Sequence, residues 1–179
     1  MKTGDCFILK GSTKDEPMTI YLIDQVRGES LDVYSIGISE NMIHGCNYPD
    51  EYDNDGNIPS DAVFISKEVY YKVKDLMKFF VNESHNYIQE NVITGDFVIE
   101  PKRYYYGRFI ENVRKIEDNK VYYDTFRIEP ENISPCWRGE ANMDVLIDHW
   151  RPIPEYIYQE ILRRYRKFIM ELREYLFDF

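Results

Sequence analysis

Four segments of the chain recur in the same order, and that recurrence constrains the fold more than any other feature. Thr3-Gly4-Asp5-Cys6-Phe7-Ile8 returns as Thr94-Gly95-Asp96-Phe97-Val98-Ile99. Tyr21-Leu22-Ile23-Asp24-Gln25-Val26-Arg27 returns as Arg108-Phe109-Ile110-Glu111-Asn112-Val113-Arg114, and Val33-Tyr34 as Val121-Tyr122. Gly28-Glu29 in the first copy and Glu117-Asp118-Asn119 in the second read as turns. Self-similarity at a long period marks repeated supersecondary units.

The copies also close alike. After Ile65-Ser66, the residues Val69, Val73, Leu76, Met77 and Phe80 fall on one helical face. After Ile153-Pro154, the residues Ile157, Ile161, Tyr165, Phe168, Ile169, Leu172 and Leu176 do the same, with Arg163, Arg164, Arg166 and Lys167 mostly off the stripe. Ser66 suits an N-cap and Pro154 a first turn. The predicted fold class is α+β and β-rich, a tandem duplication of a small SH3-like β-barrel followed by an amphipathic helix. The predicted domains are residues 1–91 and 92–179, with Glu83 to Val92 as the link.

Charge narrows the partners. The net charge is −10 over 179 residues, which disfavours nucleic acid and favours a basic protein partner. Residues 1–91 carry 8 Lys and Arg against 16 Asp and Glu, so the first half holds most of the acidity. Three separated cysteines, Cys6, Cys46 and Cys136, do not read as a disulfide framework. With neither an apolar leader nor a run of roughly 18 apolar residues, the expectation is a cytoplasmic protein with no membrane partner.

The most suggestive cluster is Asp50-Glu51-Tyr52-Asp53-Asn54-Asp55-Gly56, followed by Asp61. Read from Glu51, the oxygen ligands Glu51, Asp53 and Asp55 and the glycine follow a Ca²⁺ loop, but Ala62 stands at the position that needs a bidentate Glu. A solvated acidic turn explains the cluster better, and no cofactor or metal is expected. The five carboxylates Asp50, Glu51, Asp53, Asp55 and Asp61 have no base among them and form a candidate surface for a cationic partner. The run Lys102-Arg103-Tyr104-Tyr105-Tyr106 could stack and clamp a strand of nucleic acid, but the acidic balance argues for a strand entry, with Tyr104 and Tyr106 as candidate partner contacts. His44 and Cys46 are too few for zinc. No Gly-x-Ser-x-Gly, phosphate loop or His-Glu-x-x-His occurs, so no catalytic residue is assigned.

Gly95-Asp96-Phe97-Val98-Ile99 followed by Tyr105-Tyr106-Gly107-Arg108-Phe109-Ile110 resembles a pattern of the immunity proteins of bacterial polymorphic toxin systems, in which a Gly-Asp-hydrophobic strand precedes an aromatic-Gly-Arg-hydrophobic strand. The first copy keeps Gly4-Asp5 but has no Gly-Arg at the second element. The resemblance implies an antidote that binds a cognate toxin and blocks its active site. No functional residue carries over, since both motifs look like fold elements. The expected function is therefore a non-enzymatic protein-binding module, an immunity protein neutralising a basic toxin. A scaffold role for tandem barrels is the alternative, and an enzyme with a site assembled in space, around Cys46 and His44 or the acidic loop, ranks last.

Overall fold

The computed structural model describes all residues except 12, 14, 15, 53–56 and 147, and for Cys136 and Trp137 it describes the backbone alone. The chain is β-rich with antiparallel pairing throughout and three helices among the described residues. The elements are β1 (Cys6–Lys10), β2 (Met18–Arg27), β3 (Ser30–Ile38), β4 (Ile43–Gly45), β5 (Asp50–Glu51), β6 (Val63–Ile65), α1 (Lys67–Gln89), β7 (Arg103–Tyr106), β8 (Phe109–Glu117), β9 (Lys120–Glu129), β10 (Asn132–Asn142), α2 (Met143–Leu146), β11 (Arg151–Ile153) and α3 (Glu155–Phe177). They form two compact units. Unit 1 comprises Met1–Lys78 with Lys167–Phe179, and unit 2 comprises Phe79–Arg166. Each unit therefore contains residues of both long helices.

Within unit 1 the strand order is β6-β1-β2-β3-β4, with β5 also on β3. Within unit 2 it is β11-β7-β8-β9-β10. Neither ladder is closed among the described residues. The two orders correspond strand for strand, and so do the registers. Leu31, Val33, Ile36 and Ile38 of β3 match Val121, Tyr123, Phe126 and Ile128 of β9, with an irregularity between Ile23 and Gln25 in one unit and between Val113 and Lys115 in the other. Ile43 and Ile133 then hold the same position, while the Cys46 amide donates to the Ser35 carbonyl and Cys136 lies at an irregularity of its ladder.

This register separates three of the sequence matches from the structure, for Val33-Tyr34 corresponds to Tyr123-Asp124 rather than to Val121-Tyr122. Val26-Arg27 sits against the turn, whereas Val113-Arg114 lies at the irregularity three residues before it. The partner of β1 is also not the second Thr-Gly-Asp segment. Phe7 pairs Tyr21 and Phe64, and its counterpart Tyr104 pairs Glu111 and Pro152, so β1 corresponds to β7. Residues 96–100 run outside the ladder. Gly4 and Gly95 share a left-handed backbone, with φ of 88° and 111°, so the same residue type recurs because each site needs that conformation. Gly107, with φ of 57°, makes Gly107-Arg108 a two-residue hairpin turn between Tyr106 and Phe109. The first unit joins β1 to β2 by residues 11–17 instead, which is why it lacks a Gly-Arg.

The helices follow the spacing read from sequence. Val69, Val73, Met77, Val81 and Ile88 of α1 are buried, as are Ile157, Ile161, Tyr165, Ile169, Leu172 and Leu176 of α3. Each such burial contributes roughly 1.5–3 kcal/mol, far more than the few tenths that β-branched residues cost a helix. Leu76, expected on the stripe of α1, lies off it and is exposed. Ser66 accepts a 3.2 Å bond from the Glu68 amide and caps α1. Residues 83–89, read as the start of a link, are the last turns of that helix, held by burial of Ser84 and Ile88.

One sheet face in each unit carries its own apolar cluster. In unit 1, Phe7, Ile23, Leu31 and Val33 pack with Tyr21, Tyr52, Ile58 and Ala62. In unit 2, Tyr104, Val113, Val121, Leu146 and Trp150 pack with Tyr123 and Ala141. Bulk is exchanged between matching positions: Tyr52 stands where unit 2 has Ala141, and Ala62 where it has Trp150. Each core is filled by one large ring at a different site, conserving volume.

Candidate functional site

The two units differ most beside the turn that joins their second and third strands. In unit 2, β10 pairs β9 along its length, from Asn132 opposite Glu129 to Asn142 opposite Lys120. The α2 turn then covers the hairpin: the Met143 amide donates to the Asn119 carbonyl at 2.9 Å, and Asn119 Nδ2 donates to Asp144 at 3.3 Å. In unit 1 the matching strand is broken into β4 and β5. Only Asp50 and Glu51 return to β3, opposite Val33 and Asp32, and the Tyr52 amide donates to the Leu31 carbonyl at 2.8 Å.

Among the described residues a groove of about 1140 Å³ remains in unit 1 where unit 2 is covered. Its walls are residues 26–31, Glu51, Tyr52 and Asn57, with Met1 at one side. Its exposed lining is mostly polar, Leu31 being 2% exposed, and Glu29 and Glu51 bring carboxylates to it. Among the described lining residues Arg27 brings a cationic side chain, and it is engaged: its guanidinium lies 2.8 Å from Asp32 and donates to Gln25 Oε1 at 3.2 Å. Downstream of it, residues 28–66 contain eight carboxylates and no Lys or Arg. A guanidinium or ammonium entering this groove would meet carboxylates whose potentials add.

The residues singled out in the sequence are dispersed. Asp50 and Glu51 are adjacent and exposed on β5, and Glu51 lines the groove. Asp61 is exposed in the turn before β6. Asp53 and Asp55 lie outside the described residues, so the Ca²⁺ reading of Glu51, Asp53 and Asp55 falls there too. Among the described residues no group of three His, Cys, Asp or Glu side chains converges as a metal ligand set. Tyr104 has no exposed surface; its hydroxyl accepts from the Glu100 amide at 2.9 Å and donates to the Glu100 carbonyl at 3.1 Å. Tyr106 is exposed at the end of β7, 5.8 Å from the His149 ring. His44 is exposed on β4, and Cys46 Sγ lies 3.4 Å from Ser35 Oγ. Glu29 and Tyr52 were not read as groove residues; the break in the strand after Gly45 was the available signal.

Two titratable groups of unit 2, one buried and one half-buried, are shifted by their burial. Glu111, 5% exposed, is pushed up to about 7 by burial, partly offset by the Thr125 hydroxyl, which donates to it at 2.6 Å. It stands at the position of Tyr21, which in unit 1 stacks on Phe7. His85 lies between the Ile128 carbonyl, 2.9 Å from Nε2, and the Tyr105 hydroxyl, 2.8 Å from Nδ1. Burial lowers its pKa, which favours the neutral ring that donates through Nε2 and accepts through Nδ1. Both groups belong to the packing of the sheet rather than to an open site.

No helix among the described residues is long and apolar enough to cross a membrane. Compared with known protein families, with curated proteins and with solved structures, the chain matches none.

Proposed function

We propose that the chain is a non-enzymatic protein-binding module of the cytoplasm, an immunity protein that neutralises a basic toxin by presenting the acidic groove of unit 1. The observation that carries the reading is that groove, open in one unit where the other is covered and bordered by a 39-residue stretch without a Lys or Arg. A toxin that acts on nucleic acid carries a cationic active-site surface, and an acidic groove competes for it. In the same reading the two units are copies of one SH3-like barrel, made by tandem duplication. The return of the last strand to pair the first, and the shared register, support this.

The test is to express the chain with the product of the adjacent reading frame. A basic toxin should co-purify at low salt and dissociate as salt rises, and Glu29→Lys with Glu51→Lys should abolish both capture and protection. If the neighbouring frame encodes no toxin and no basic protein is recovered at low salt, the reading fails.

A further inference from the structure

Phe64 of β6 and Pro152 of β11 hold the same register position, one opposite Phe7 and the other opposite Tyr104. In unit 2 the outer edge at this position is closed. Proline presents no N–H there, and its carbonyl accepts a 2.8 Å bond from the Ile93 amide. Pro152 is buried. The Pro152 carbonyl points away from β7, and the shared register turns the Phe64 N–H and C=O away from β1 in the same way. Among the described residues nothing bonds to that edge, and the Phe64 side chain is 58% exposed. Unit 1 thus leaves open a strand edge that unit 2 closes with a proline and a segment of its own chain.

We infer that the β6 edge is a strand-addition site for an extended, cationic segment of a partner protein. Unit 2 supplies the precedent for the occupant, an extended residue bonding at the same register. Charge selects its sign. Unit 1 carries 10 Lys and Arg against 17 Asp and Glu, and the segment 61–68 that holds the strand has Asp61 and Glu68 against Lys67. A second copy of this chain would bring two acidic edges together, which like-charge repulsion opposes. The edge and the groove are separate surfaces, so this inference goes beyond the proposed function and survives or fails without it.

The experiment uses the full chain and a fluorescein-labelled six-residue peptide of alternating Lys and Val as probe, with the Glu and Val counterpart and a backbone N-methylated form as controls. Hydrogen exchange should find the Phe64 amide unprotected in the chain alone and protected about tenfold or more with the cationic peptide. Phe64→Pro, which reproduces the residue unit 2 already carries, should weaken binding about tenfold through loss of the edge donor, while Phe64→Thr and Glu51→Lys leave a clear signal. The N-methylated peptide should not bind. The inference is overturned if the Phe64 amide is already protected in the free chain, or if Phe64→Pro binds as tightly as the parent. It is also overturned if light scattering shows a dimer that Phe64→Pro dissociates, because the occupant is then a second copy.

Discussion

The Thr125 hydroxyl reaches across from β9 to Glu111 on β8, donating at 2.6 Å to a carboxyl that is 5% exposed. That bond only partly offsets burial, and the pKa of Glu111 rises from the ordinary 4.5 to about 7. A folded-state pKa above the unfolded value means the folded chain holds the proton more tightly. The resulting stabilisation is complete below pH 4.5 and is lost as pH rises through about 7. At about 1.4 kcal/mol per pKa unit, the loss amounts to about 3 kcal/mol. Urea midpoints of the parent and Glu111→Gln should therefore be close at pH 4.5 and diverge by pH 8, with the glutamine variant the more stable. Parallel curves would show that Glu111 is ionised in the folded chain.

His85 has the opposite sign. Its pKa is lowered by burial, so its contribution is fully present above the unfolded value near 6.5 and is lost as pH falls through the depressed folded value. In a histidine NMR titration the His85 ring should titrate below the ordinary histidine value near 6.5. Tyr105→Phe removes the hydroxyl that faces Nδ1 and should cost about 1 kcal/mol near neutral pH.

The exchanged rings of the two cores make a test by double substitution. Trp150 is 1% exposed, and its ring centroid lies 5.2 Å from those of Tyr104 and Tyr123. Trp150→Ala should destabilise by about 3–5 kcal/mol. Adding Ala141→Tyr rebuilds the arrangement of unit 1, where Tyr52 lies 5.8 Å from Phe7, and should restore part of the loss. A chemical denaturation series that finds the two changes additive would show that the sites do not share a space.

For the groove, the sign of the charge is the variable. Glu29→Lys should weaken capture of a basic partner and flatten its salt dependence, since rim charges act mainly on association rate. Glu83→Lys, an equal change in net charge at an exposed site on α1, should do neither. Association rates measured across a salt series separate the two.

The helices were legible because burial repeats every third or fourth residue over six turns, and nothing competes with that pattern from Val69 to Ile88 or from Ile157 to Leu176. The strands were legible, but their correspondence was not. Thr-Gly-Asp recurs because Gly4 and Gly95 both need a left-handed backbone, a requirement that says nothing about which strand follows. The Val-Arg pairs stand three residues apart in the register, Val26 opposite Leu31 beside the turn and Val113 opposite Tyr123 at the irregularity that both units share, so the dipeptide marks no common position. Alternation puts Tyr104 and Tyr106 on one face, yet Tyr104 is buried and Tyr106 exposed, because Tyr106 is the last residue of β7, where the hairpin turn begins. The groove was legible in its charge alone. Its walls come from a turn at 26–31 and from Tyr52, brought together by a two-residue strand too short to be read from alternation.

Unit 1 also has a place in time. Its core includes Leu172 and Leu176, Arg173 donates to the Glu16 carbonyl at 3.0 Å, and Lys10 donates to the Phe177 carbonyl at 2.8 Å. A ribosome adding residues in order delivers β1 first and these contacts about 160 residues later, on the order of ten seconds or more at ordinary elongation rates. Throughout that interval the surface of unit 1 meant for residues 167–179 is exposed. The half of the chain made first is the half that waits, and a nascent segment holding an uncovered apolar face is what a chaperone binds.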